Sequence, residues 1–98
     1  MDVKTELSPL SKVKHPPLTV VVDEARAAEL GMTETEARHV QQLAAGWKQP
    51  EMAREAWVTN NGMNMRFYRI RNRYGIRTTE QLIAWAYQHG VLVVASRG

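Results

Sequence analysis

The chain has no cysteine and no apolar run near the ~20 residues that a membrane helix needs. Without thiols there is neither a disulfide framework nor a thiolate metal site. His15, His39 and His89 lie far apart and in no ligand spacing, so neither a metal nor a cofactor is expected. There is also no carboxylate pair, no nucleophile–base set and no glycine-rich phosphate loop. Asn60-Asn61-Gly62 is too little to count as one, so no catalytic residue is assigned and an enzyme is not expected. The opening MDVKTELSPLSK lacks the apolar core of a signal peptide, and a soluble, cytoplasmic protein without membrane contact is the expectation.

A further absence is local. From Trp57 to Thr79 there is no aspartate or glutamate, yet five arginines fall there. Residues 1–31 and 32–58 each carry a net charge of −1, residues 59–77 carry +5, and residues 78–98 are neutral, which gives the total of +3. One segment therefore supplies the whole excess. An arginine-rich helix face is most often just solvated, but such faces usually mix signs, because i,i+4 ion pairs stabilise them. A face without acids favours a phosphate partner.

The length suits one domain with a floppy end. Residues 1–17 read as a polar tail closed by Pro16-Pro17, and residues 18–31 as an N-terminal extension. In that extension LTVVV (Leu18–Val22) is a strand candidate, and Asp23 caps a short helix, EARAAEL, ended by Gly31. The domain proper, residues 32–98, opens with a strong start signal. Thr33 and Glu36 form a capping box with Met32 at the staple position, predicting a helix over Glu34–Ala45. Pro50 fits the first turn of a second helix, PEMAREAW. Thr59 caps a third over Asn60–Tyr74, whose Met63, Phe67, Ile70 and Tyr74 form one apolar stripe at helical period. Thr78 with Gln81 opens a fourth, which buries Leu82, Ile83 and Ala86 and ends near Gly90. VLVVA (Val91–Ala95) is a second strand candidate. An antiparallel ribbon with Leu18–Val22 is expected, either within one chain or exchanged between two; otherwise both are extended tails.

The second and third of these helices have helix-turn-helix spacing, in which the second helix of the pair enters the major groove. Here the sequence resembles a family. From Met32 to Leu92, through MTETEARHVQQLAAG, then GWKQPEMAREAWVTNNGMNMRFYRIRNRYGI, then TTEQLIAWAYQHGVL, it is similar to the LuxR/GerE-type helix-turn-helix domain of bacterial transcription factors. The resemblance implies a mainly α, four-helix domain, here with a small two-stranded ribbon from the terminal segments. It also implies duplex DNA as partner and a homodimer joined through the last helix. The chain departs from the family pattern at Asn64 and Tyr68, where lysines are usual, at Pro50, and at Gly62 in place of threonine. Trp57 falls in the turn where glycine is usual; a left-handed backbone is costly for tryptophan, so a remodelled turn or a longer preceding helix is expected.

Thr59 and Asn60 then open the reading helix beside the sugar–phosphate backbone. Asn61 and Asn64 suit an adenine edge, Arg69 a guanine, and Met65 or Tyr68 a thymine methyl. Arg66 and Arg73 flank that face as phosphate contacts. On the last helix Gln81, Ala84, Trp85 and Gln88 point outward as the dimer surface, unless Trp85 folds over the edge of the core. The expected function is sequence-dependent DNA binding that regulates transcription. The alternative is a protein–protein module of the same fold that binds and modulates a transcription factor, with the Leu18–Val22 extension as a grip for the partner.

Overall fold

Residues 20–94 are described by the computed structural model; the expected tail 1–17, Leu18, Thr19 and Ala95 lie outside them. Within this part the chain runs β1 (Val20–Val22), α1 (Glu24–Glu29), α2 (Glu34–Ala44), α3 (Gln49–Glu55), α4 (Asn60–Arg73), α5 (Thr79–Gln88) and β2 (Leu92–Val94). It is mainly helical with one small antiparallel sheet.

Side-chain oxygens start four of these helices. Asp23, Thr33, Thr59 and Thr78 accept from the backbone N–H groups of Arg26, Glu36, Gly62 and Gln81 at 2.9–3.1 Å. Each satisfies a donor that the helix itself leaves orphaned. Glu36 completes the Thr33 capping box by accepting from the Thr33 N–H at 3.0 Å. The second expected box is made differently: Gln81 Oε1 accepts from the Arg77 N–H, one residue ahead of the cap. At α3 the Lys48 N–H donates to Glu51 Oε1 at 3.1 Å, with Pro50 in the first turn.

The helix ends follow a single rule. Each closes in a Schellman motif, in which the residue after the cap donates to the carbonyl three back and its successor to the carbonyl five back. The pairs are Gly31 with Met32, Gly46 with Trp47, Trp57 with Val58, Gly75 with Ile76 and Gly90 with Val91. The motif needs a left-handed residue. Glycine supplies it four times, at φ 69–98°, and tryptophan the fifth time, at φ 60°. The expectation of a remodelled turn or a longer α3 is therefore corrected: α3 ends at Glu55, and Trp57 itself takes the strained conformation. The reason lies in its neighbours, because the Val58 N–H bond to the Ala53 carbonyl at 3.0 Å and the burial of Ala53 lock the turn.

The core is a single cluster. Met63, Phe67 and Ile70 of α4 pack with Val40 of α2, Met52 and Ala53 of α3, and Leu82 and Ala86 of α5. Val20, Ala27, Val91 and Leu92 belong to it too, so the N-terminal extension contributes Val20 and Ala27 to this core. The ribbon is intrachain and antiparallel, with Val20 opposite Val94, Val21 opposite Val93 and Val22 opposite Leu92. It is pinned by Gln41 Nε2 donating to the Val20 carbonyl at 2.7 Å and by Arg26 Nε donating to the His89 carbonyl at 2.8 Å.

Candidate nucleic-acid interface

α4 carries the acid-free segment. Its Met63–Phe67–Ile70 stripe is buried, which turns Asn61, Asn64, Met65, Tyr68, Arg69 and Asn72 toward solvent. Thr59 and Asn60 are exposed at its N-terminal end, and no acid lies in its first turn. Gly62 fits there because an added Cβ would come 3.2 Å from Thr59 Oγ1, the atom that caps the helix.

The arginines divide into two kinds. Arg73 forms a bidentate ion pair with Glu36 of α2, Nη1–Oε1 and Nη2–Oε2 both 2.8 Å, and also donates to the Gly31 carbonyl. Arg66 is half-buried and donates from Nη1 to His39 Nε2 at 2.9 Å. These two, expected as phosphate contacts flanking the face, have partners inside the fold, because packing of α4 on α2 brings an acid and an imidazole within their reach. Arg71 donates to the Arg77 carbonyl. Arg69 alone of the α4 arginines is without a hydrogen-bond or ion-pair partner among the described residues, and it is exposed.

Arg66 begins a chain of hydrogen bonds through three helices. Because a guanidinium can only donate, His39 Nε2 must accept, so the neutral ring carries its proton on Nδ1. That N–H donates to Gln42 Oε1 at 3.3 Å, and Gln42 Nε2 donates to Glu55 Oε1 of α3 at 2.8 Å. His39 and Gln42 are both buried. Burial, followed by the nearby cations Arg66 and Arg38, holds the His39 pKa below its ordinary 6.5, although the Gln42 bond opposes this. The unfolded chain therefore takes up a proton near pH 6.5 that the fold refuses, and stability is full above that pH and falls as the pH drops through it. Urea midpoints should decline between pH 7.5 and 5.5, and His39→Gln should flatten that dependence; an equal slope in the variant would clear His39 of the effect.

Arg73 makes a second measurable contribution. Its guanidinium holds the Glu36 carboxyl below 4.5, against the opposing effect of burial. Arg73→Ala should cost about 1–2 kcal/mol at neutral pH, less than a buried pair because the arginine is partly exposed. The depressed carboxylate stabilises the fold above pH 4.5 and loses that effect as the pH falls below it. The difference between Arg73→Ala and wild type in urea should thus shrink in acid.

The residues assigned to a dimer surface are only partly on one. Gln81, Ala84 and Gln88 are exposed, whereas Trp85 is half-buried, its ring stacked between Tyr74 at 4.3 Å and His89 at 4.5 Å. Tyr74 in turn donates its hydroxyl to the Leu30 carbonyl at 2.8 Å. Trp85 is thus a clip that holds α5 to the end of α4, the second of the two placements expected for it.

No known family, curated protein or solved structure matches this chain. Function has to be read from its own surface. A cleft of about 200 Å³ beside α4 is lined by Thr33, Thr35, Glu36, His39, Arg66 and Arg69. A larger one, about 730 Å³, has Glu24, Glu34 and Glu55 against the single Arg38, and no residue of α4 lines it. Acids thus outnumber bases in that cleft, whereas bases outnumber acids in the small one beside α4. The sequence offers His39 only as an unpaired candidate ligand, and its link to Gln42 and Glu55 leaves no local signal that distinguishes these residues from surface ones. No described helix is long and apolar enough to cross a membrane.

Proposed function

We propose that the protein binds duplex DNA in a sequence-dependent way and regulates transcription, with α4 as the reading helix of a LuxR-type helix-turn-helix domain. The observation that carries this is the exposed, acid-free face of α4. Asn61 and Asn64 offer amides for an adenine edge, Arg69 a fork for guanine, and Met65 and Tyr68 apolar surface for a thymine methyl. Thr33 and Thr35, across the small cleft from Arg69, add hydroxyls suited to a backbone phosphate. A homodimer, through Gln81, Ala84 and Gln88, belongs to the same reading and would place two such helices on one duplex.

The second reading is a module that binds a protein and modulates transcription through it. It is favoured by the exposed valines of the ribbon, Val21, Val93 and Val94. Selection of bound fragments from random duplex DNA at low and moderate salt separates the two. DNA reading gives one enriched motif, with affinity falling steeply as salt rises. Retention at low salt without an enriched motif removes the sequence-dependent reading and leaves the protein module.

A further inference from the structure

Trp57 is the single described non-glycine residue at positive φ, and its side chain is 93% exposed. The turn would accept glycine, as the four other helix ends do, and an indole in water gains nothing from burial. Neither the backbone nor the core thus accounts for this residue, and an outside contact would. Its position narrows what that contact is. Trp57 precedes the Thr59 cap by two residues, so it stands at the N-terminal end of α4, in a stretch whose other exposed residues are Arg54, Glu55, Thr59, Asn60 and Asn61. Val58 next to it is half-buried, and the next exposed large apolar side chain along the sequence is Met65. A protein interface would surround such a tryptophan with further apolar surface. A lone exposed aromatic in a polar stretch, whose one acid, Glu55, already accepts from Gln42, matches a nucleic-acid strand, which offers sugar and base faces to the ring and phosphate oxygens to its Nε1–H.

We propose that Trp57 is a contact residue of the DNA interface, packing its indole on the sugar–base edge of the strand that passes the N-terminal end of α4. This rests on α4 lying against duplex DNA, and it adds a residue from the turn, outside the helix, to the contact. Trp47 and Trp85 are half-buried, so a change of emission on adding duplex would report Trp57 first. In the full chain, duplex DNA should quench the fluorescence, and Trp57→Gly should weaken binding about tenfold. Glycine suits the left-handed position, so the variant should melt no lower than wild type, and lost binding cannot then be ascribed to lost fold.

Arg69→Ala, measured alongside, separates this proposal from the reading beneath it. If Trp57→Gly binds within twofold of wild type while Arg69→Ala does not, Trp57 is no DNA contact, α4 remains the reader and the indole is left to a protein partner. Unchanged emission at saturating duplex would likewise rule out the contact, without any variant. If wild type binds no duplex at moderate salt, both proposals are overturned.

Discussion

Arg69→Ala should weaken binding to the selected duplex by about tenfold or more while leaving the melting temperature unchanged. The separation is possible because Arg69 has no partner in the fold to lose: it is exposed, and none of the described side chains or carbonyls takes its guanidinium. Arg73 is the useful contrast, since its fork is already closed on Glu36 and its removal should lower stability instead. The manner of the loss reports what Arg69 touches. If it grips a guanine, the variant's selected motif should relax at one position. If it grips a phosphate, the motif should persist and the salt slope should fall by roughly one. Tyr68→Ala, likewise exposed, tests the same face beside it. Unchanged affinity and site preference in both variants would remove α4 as the reader.

Phe67→Ala should cost about 3–5 kcal/mol and lower the melting temperature by at least about 12 °C. Phe67 is 1% exposed and sits in the α4 stripe between Met63 and Ile70, inside the buried cluster, so its truncation leaves a cavity there. Its ring also lies 6.0 Å from that of His39, so the loss would loosen the hydrogen-bonded chain from Arg66 to Glu55. A domain of this size holds on the order of 5–15 kcal/mol in total, so the variant stands close to unfolding. Phe67→Leu, which keeps most of the volume, should cost far less. Equal melting of Phe67→Ala and wild type would mean that α4 is not anchored by this stripe, and the exposure of its opposite face would lose its basis.

How much of this was legible beforehand depends on the distance over which each signal acts. Helix starts at Asp23, Thr33, Thr59 and Thr78 were readable because a cap bonds three residues along the same chain. So were the stripe of α4 and the stops at Gly31 and Gly90, which are matters of local period and backbone freedom. The pairing of the two valine-rich segments was legible as a match of strand candidates, though only the fold showed it to be within one chain. The exposed face of α4 follows from the same period: once Met63, Phe67 and Ile70 are inside, Asn61, Met65, Tyr68 and Arg69 are outside.

What the sequence could not determine was the company each side chain keeps across the fold. Arg66 meets His39, Arg73 meets Glu36, Tyr74 reaches the Leu30 carbonyl, and Trp85 lies between Tyr74 and His89. Two arginines expected to flank the α4 face are thereby given partners within the fold, and Trp85, for which two placements stood open, becomes part of the packing. Trp57 went the other way, since its left-handed turn is forced by the closure of α3 onto Val58 rather than chosen by its own preference. The cause is physical: caps and periodicities are settled by neighbours three or four residues apart, whereas ion pairs and ring stacks need helices that are remote in sequence to be docked first, and only the tertiary fold brings them together.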